Sequence, residues 1–160
     1  MKEHTINISV WITDNISELS NEDARLLEEA VKATQLAYAP YSQFNVGAAI
    51  LLENGEIIKG SNQENTAYPS GLCAERVAMF YANSQYPGVA IKTIAISSAV
   101  QGMQSERAVY PCGACRQSLM ESEMRQNRPI RVIMAGSNSI QIVESIKSLL
   151  PLSFDLADYK

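Results

Sequence analysis

The chain has 160 residues, of which 46% are hydrophobic and 19% are charged, with a formal net charge of −4 at pH 7. These values predict one domain over residues 1–160 that can bury a substantial core. The negative charge and the scattered Lys and Arg residues argue against a nucleic-acid-binding surface. Residues 1–20 lack the apolar block of a signal peptide, and every apolar run is too short to cross a bilayer. We therefore expect a cytoplasmic protein with no nucleic-acid or membrane partner.

The predicted elements begin with a helix of about five turns. Ser20 is its N-cap with Asp23 in the first turn, and Pro40 ends it. Two β-type runs joined by an Asn-Gly pair predict a hairpin at 46–52 and 56–59. The later elements are helices at 72–81 and 112–126, strands at 93–99, 129–135 and 139–143, and a short helix before Pro151. This order predicts an α/β layered domain with a mixed sheet. Residues 1–20 are expected to form an extension, a short strand and a loose connection of no assignable role.

All three cysteines belong to one pattern, Cys73-Ala74-Glu75 followed by Pro111-Cys112-Gly113-Ala114-Cys115. Cys112 and Cys115 are three positions apart at the start of a predicted helix, so both lie on one face. Cys73 also begins a predicted helix, and the positive ends of two helix dipoles would favour ionised thiolates. Three protein ligands leave the last position of a tetrahedral zinc ion open to water, as in catalytic sites. The pattern therefore predicts a metal-dependent hydrolytic enzyme.

Other interpretations of the cysteines remain open at this point. A Cys-x-x-Cys pair can be a redox pair, and a buried free cysteine can be no more than a small hydrophobic residue. Neither interpretation explains Cys73-Ala74-Glu75. A structural zinc site would need a fourth ligand, which only the isolated His4 could supply. A non-catalytic zinc or redox binding module is therefore the alternative to an enzyme.

Two residues next to Cys73 have predicted roles at the metal. Glu75 is two positions after a ligand and would flank the ion, where its carboxyl can take a proton from water and deliver it to a substrate nitrogen. Three thiolates make the zinc site formally negative, so a cation should offset this charge. Arg76 is the first candidate donor to the sulfurs, and Arg116 is the second. Arg76 could instead be a solvated residue on a helix surface.

These residues resemble the small homotetrameric branch of the cytidine deaminase family. Three further segments carry the resemblance, at residues 39–49, 60–69 and 149–154, so that it covers about residues 26–154. It implies a three-layer α/β/α domain around a mixed five-stranded sheet. It also implies one Zn²⁺ per subunit and a homotetramer in which neighbouring subunits complete each active site.

The resemblance also implies how a nucleoside would be held. Asn62 and Glu64 would bind the ribose 3′-hydroxyl, which both donates and accepts hydrogen bonds. Phe44 would pack against the pyrimidine ring, and the Ala74 backbone would meet the edge of the base.

A second set of residues would act at a neighbouring subunit. Phe154 and the segment Ala67-Tyr68 approach that subunit's active site in the family. For Tyr68 and Phe154 taken alone, a place in the hydrophobic core is the alternative.

The implied reaction is hydrolysis of cytidine or deoxycytidine to uridine or deoxyuridine and ammonia, in pyrimidine salvage. Zinc deaminases activate a water with the metal and move protons with a glutamate that is not a ligand, a role that falls to Glu75 here. A related deaminase for a nucleoside antibiotic, or for a base in nucleic acid, is the alternative. The missing basic stripe disfavours a polynucleotide, and the pair Asn62 and Glu64 favours a free nucleoside.

Overall fold

The computed structural model describes residues 1–154, which contain three α-helices and seven β-strands. The helices are α1 (Asn21–Ala33), α2 (Ala74–Gln85) and α3 (Gly113–Gln126). The strands are β1 (Trp11–Thr13), β2 (Phe44–Leu52), β3 (Ile57–Ser61), β4 (Ile91–Val100), β5 (Met103–Gln104), β6 (Arg131–Ala135) and β7 (Ile140–Val143). Short 3-10 helices lie at Ile16–Glu18, Thr34–Leu36, Tyr68–Ser70 and Ile146–Leu149. None of the described helices combines the length and the apolar character needed to cross a membrane.

All seven strands form one mixed sheet in the order β1-β7-β6-β4-β2-β3, and β5 pairs with the end of β4. Only β4 and β6 are parallel within the described residues. The mixed sheet is confirmed, but the predicted number of five strands is wrong. The two additional strands are β1, which lies where a short strand is expected within residues 1–20, and β5, which is too short for alternating hydrophobicity to reveal it. A turn at Gln101 and Gly102, both with positive φ, folds β5 back onto β4.

The helices cover both faces of the sheet, so the predicted three-layer α/β/α arrangement is confirmed. On one face α1 packs Leu26, Leu27 and Ala30 against β2, β4, β6 and β7. On the other face α2 and α3 form the larger core cluster with the opposite sides of β2, β4 and β6. Strand β4 is buried along both faces except at Lys92 and its last residue, as its nearly continuous apolar sequence predicts.

Helix α1 ends at Ala33, and a 3-10 turn to Leu36 follows, so the prediction that the helix continues to Pro40 is wrong. The Thr34 hydroxyl donates to the Val31 carbonyl at the helix end. Tyr38 is then extended, because its N–H donates to the Asn62 carbonyl and its own carbonyl accepts from Glu64 N. This long-range pairing brings residues 39–44 against the segment that follows β3.

Two glycines allow helices to lie unusually close to the sheet. A Cβ atom at Gly60 in β3 would be 2.5 Å from the Ala74 carbonyl oxygen and 2.6 Å from the Ala78 nitrogen. A Cβ atom at Gly47 in β2 would be 2.2 Å from the Ala30 carbonyl oxygen. Gly60 therefore sets how closely the first turn of α2 lies against the sheet, and Gly47 sets this for the last turn of α1.

Candidate metal centre and the adjoining cavity

The sulfurs of Cys73, Cys112 and Cys115 converge. The Sγ atoms of Cys73 and Cys112 are 3.7 Å apart, those of Cys112 and Cys115 are 3.5 Å apart, and all three lie within 4.8 Å of one another. Tetrahedral zinc with Zn–S bonds of about 2.3 Å requires sulfurs about 3.8 Å apart. These thiols are not joined by a disulfide. Their spacing and soft donor chemistry therefore fit one zinc ion.

Two helix N-termini position these sulfurs. Cys73 and Cys112 are the N-cap residues of α2 and α3, both extended and neither with a side-chain capping bond, and Cys115 is buried in the first turn of α3. The positive dipole ends of both helices therefore face the sulfurs and favour thiolates. Among residues 1–154, this is the only group of at least three His, Cys, Asp or Glu side chains close enough to share an ion. His4 is not a member of it, so the alternative of a fourth ligand from His4 is not supported.

Glu75 and Arg76 lie against the cluster. The Glu75 side chain is buried, with 3% of the residue exposed, and it is within hydrogen-bonding reach of Cys115. Burial, together with the neighbouring Cys73 thiolate, raises the pKa of Glu75 to about 7. Hydrogen bonds from Cys115, Cys112 and Arg76 lower the pKa of Cys73 to about 5. The Arg76 guanidinium thus supplies positive charge beside the sulfurs.

A cavity of about 740 Å³ opens directly over the cluster. Glu75, Cys73 and Cys112 line its floor, next to Arg76. Its other walls are largely aromatic and aliphatic, and they include Phe44, Val46, Leu72, Tyr41, Tyr68, Val109 and Tyr110. The volume falls within the range typical of small-molecule sites.

Asn62 and Glu64 line this cavity and also form hydrogen bonds to the backbone of other residues that line it. The Asn62 amide accepts from Val46 N at 2.7 Å and donates to the Phe44 carbonyl at 2.9 Å. These two bonds leave one amide N–H and one carbonyl lone pair available. The Glu64 carboxylate accepts from Tyr41 N at 2.9 Å and Ser42 N at 3.3 Å. A hydrogen bond with the Ser42 side chain and these backbone bonds hold the pKa of Glu64 below its usual value.

Three other predicted residues do not line the cavity of their own chain. Ala74 is fully buried beneath it, and its N–H, at the first position of α2, has no acceptor within the helix. Ala67 is exposed, and its N–H donates to the Asn65 side chain. Phe154 is 61% exposed, and its carbonyl accepts from Gln117. The predicted action of Ala67 and Phe154 at a neighbouring subunit stays a prediction.

Two tyrosines of the cavity were missed by the reasoning from sequence. Tyr41 packs edge to face against Tyr68, with ring centroids 6.5 Å apart, and Tyr110 lies on the same cavity wall. Tyr110 precedes Pro111 and the second ligand directly, which is a signal that could have identified it. Arg116 also differs from its predicted role, because its side chain bonds to backbone carbonyls.

Residues 20–128 match the family model described as the cytidine and deoxycytidylate deaminase zinc-binding region. This chain belongs to that family. The cytidine deaminase of Halalkalibacterium halodurans is 44% identical to this deaminase over 98 residues, which are 60% of this chain and 68% of the relative. The Mycobacterium tuberculosis cytidine deaminase is 36% identical over 132 residues, 81% of this chain and 86% of the relative. The predicted family membership is confirmed.

Solved structures agree with the fold. The crystal structure of cytidine deaminase from Burkholderia pseudomallei superposes with a TM-score of 0.71 at 33% identity, covering 85% of this chain and 100% of that chain. The cytidine deaminase of Mycobacterium tuberculosis superposes with a TM-score of 0.64 at 30% identity. Both the three-layer architecture and the enzyme class predicted from sequence are therefore confirmed, and the alternative of a non-catalytic module is not supported.

Proposed function

We propose that this protein hydrolyses cytidine and deoxycytidine to uridine and deoxyuridine, with release of ammonia. The observation that carries this proposal is the convergence of three cysteine sulfurs, at the spacing of a zinc site, beside a buried glutamate on the floor of a nucleoside-sized cavity. Cys73, Cys112 and Cys115 would hold one Zn²⁺ per subunit. When bound, the zinc supplies the Lewis acidity that makes a water molecule nucleophilic near neutral pH.

Glu75 moves the protons of the reaction. Glu75 lines the cavity beside the cysteine cluster, and its side chain is shielded from bulk water. From this position it donates a proton to ring N3 of cytosine, which withdraws electrons from C4. Water then adds to C4 and gives one proton to the Glu75 carboxylate, which passes it to the departing amino group. Ammonia leaves as the C4 carbonyl forms, and the remaining hydroxyl proton returns to Glu75. Arg76 offsets the negative charge of the sulfurs through its hydrogen bonds to them and takes no part in the proton transfers.

The cavity walls orient the substrate. Phe44 packs against the pyrimidine ring, and the N–H of Ala74 meets the edge of the base. The remaining N–H and lone pair of Asn62, together with the Glu64 carboxylate, bind the ribose 3′-hydroxyl. Because that hydroxyl satisfies polar groups on both sides, a substrate without it leaves them unpaired and reacts poorly.

The charge of the cavity favours a free nucleoside over a nucleotide. Among the described lining residues the charged side chains are Glu64, Glu75 and Arg76, and the arginine bonds to the sulfurs. A phosphate group would therefore lack a cationic partner and would be repelled by Glu64. This charge distribution supports free pyrimidine nucleosides as the substrates. Their recovery in the cytoplasm is part of the same proposal.

The assembly we infer is a homotetramer in which neighbouring subunits complete each site. Exposed aromatic residues support it, because Tyr68 is 79% exposed at the cavity mouth, and Tyr81 and Phe154 are also exposed. Exposed apolar groups of this size commonly mark protein interfaces. In the tetramer Ala67, Tyr68 and Phe154 would contact the nucleoside site of a neighbour. The mass of the protein in solution tests this assembly.

The test of the proposed function is an ultraviolet assay of cytidine loss with the zinc-loaded protein and Glu75→Gln. The matched control is Glu121→Gln, which makes the same change at an exposed position of α3 outside the cavity. We expect Glu75→Gln to retain zinc and to lose at least about 100-fold in kcat, because proton transfer contributes about 10²–10⁴-fold. The control should behave as the unmodified protein. Failure of the unmodified protein to consume cytidine would refute the function, and an active Glu75→Gln would refute the role of Glu75.

A further inference from the structure

Arg116, directly after Cys115 in α3, joins two distant backbone carbonyls. Its Nε donates to the Pro111 carbonyl at 2.8 Å, and its Nη1 donates to the Leu149 carbonyl at 3.0 Å. The first carbonyl belongs to the residue just before Cys112. The second belongs to the 3-10 helix Ile146–Leu149 near the end of the described chain. One guanidinium thus connects the loop that carries a cysteine of the cluster to the C-terminal segment.

The Pro111 carbonyl matters because Cys112 is the most exposed of the three cysteines. Cys115 lies within α3 and is buried, whereas Cys112 precedes the helix and its side chain makes no capping bond. Pro111 has no N–H of its own, so its carbonyl is the only backbone group through which this residue can be anchored by a hydrogen bond. The bond from Arg116 therefore restrains the backbone immediately next to the Cys112 sulfur.

The other end of this connection is itself fixed to α3. The Glu123 carboxylate, 5% exposed, accepts from Ile146 N at 3.0 Å and from the Ser145 hydroxyl at 2.6 Å. It also accepts from Ile130 N at 2.7 Å. Glu123 thus anchors the start of the 3-10 helix whose last carbonyl binds Arg116. The backbone next to Cys112 is thus connected, through Arg116 and the 3-10 helix, to the buried Glu123 carboxylate two turns further along α3.

We propose that Arg116 is a positioning residue that retains the metal by holding Cys112 in place against the C-terminal segment. This inference rests on the proposed zinc site. The planar guanidinium presents several N–H groups in a fixed geometry, so it can reach two carbonyls at once. A lysine ammonium is a compact charge on a flexible chain and replaces this arrangement only in part. Loss of the arginine frees the Pro111-Cys112 peptide, and one sulfur then leaves the ion more readily.

The experiment measures the rate at which zinc passes from the loaded full-length protein to an excess of a coloured chelator. Arg116→Met should release zinc about 10–100-fold faster, the size of effect found when groups that orient metal ligands are removed. Arg116→Lys should lie between this variant and the unmodified protein. The matched control is Arg125→Met, at an exposed position near the other end of α3, which should release zinc at the unmodified rate.

A double-mutant cycle distinguishes positioning from general loss of stability. Glu123→Gln weakens the anchoring of the 3-10 helix Ile146–Leu149 and changes no contact of Pro111 or of a sulfur. We therefore expect it to accelerate zinc release as well. If both residues act through one connection, adding Glu123→Gln to Arg116→Met should change the rate less than the two single effects combined. Zinc release by Arg116→Met at the unmodified rate, or fully additive effects, would overturn the proposal. Should Arg116→Met fail to fold, an unmodified release rate in Arg116→Lys overturns it equally.

Failure of this inference can be told apart from failure of the proposed function. An unmodified protein that takes up no zinc would contradict the proposed metal site itself. An unmodified protein that retains zinc and deaminates cytidine, with an Arg116→Met variant that retains zinc equally well, would contradict only the role of Arg116.

Discussion

Gly60→Ala tests how packing between β3 and α2 positions the metal centre. The added Cβ would lie 2.5 Å from the Ala74 carbonyl oxygen and 2.6 Å from the Ala78 nitrogen, where ordinary contacts begin at 3.4 Å. Because both neighbours are backbone atoms, α2 must move away from the sheet by about 1 Å. That helix begins directly after Cys73 and carries Glu75 in its first turn. The substitution therefore displaces one of the three sulfurs and the proton-transfer group together.

The expected magnitude follows from these distances. Overpacking of this kind costs about 1–3 kcal/mol in the free energy of unfolding. A displacement of about 1 Å at a reacting centre can cost about 10²-fold in rate. The sulfurs of Cys73 and Cys112 are 3.7 Å apart, so the same movement takes them away from the spacing that zinc requires. We expect Gly60→Ala to lose about 100-fold in kcat and to release zinc faster.

Gly47→Ala is the matched control for this prediction. Its Cβ would lie 2.2 Å from the Ala30 carbonyl oxygen, so the steric conflict is at least as severe. However, it displaces α1, on the other face of the sheet, which carries none of the residues assigned to the site. Urea unfolding should show both variants destabilised, whereas kcat per folded molecule and zinc retention should fall only in Gly60→Ala. Equal losses of kcat and zinc in the two variants would refute the reasoning.

Two further predictions concern the metal and a surface ion pair. Cys112→Ala should purify without zinc and lose the thermal stabilisation that zinc gives the unmodified protein, since metal-binding energy contributes to folding; full zinc occupancy in this variant would contradict the assignment of Cys112. Hydrogen bonds from Lys32 at 2.7 Å and Lys59 at 2.9 Å lower the pKa of Glu29 to about 2. A depressed pKa means that the stabilisation is complete above pH 4.5 and is lost as the pH falls towards 2. Glu29→Gln should therefore reduce the free energy of unfolding by about 0.5–1 kcal/mol at neutral pH and by much less near pH 2, as urea titrations at both pH values would reveal. A difference that is the same at both pH values would contradict this assignment.

The parts of the fold that the sequence predicted correctly depend on local patterns. The five longer strands carry apolar runs or an Asn-Gly turn, and the predicted helices at 72–81 and 112–126 overlap α2 and α3. The cysteine pattern also predicted the cluster, because residues three apart at a helix start must share a face. These features need no knowledge of distant partners.

The parts that the sequence did not predict depend on contacts between distant residues. Helix α1 stops early because Tyr38 pairs with Gln63, and a helical pattern within residues 20–40 contains no trace of that pairing. A short strand is expected within residues 1–20, but its pairing with β7 at the edge of the sheet depends on residues about 130 positions away. Arg116 is next to a cysteine of the cluster in sequence, which suggested a bond to sulfur, but the Leu149 carbonyl lies within its reach only in the folded chain.

The central claim is that three cysteine sulfurs hold a zinc ion and leave one position for water. X-ray absorption at the zinc edge of the loaded protein measures this coordination directly. The account predicts three sulfur neighbours at about 2.3 Å and one lighter neighbour at about 2.0–2.1 Å. A shell of four sulfurs, or of fewer than three, would contradict it.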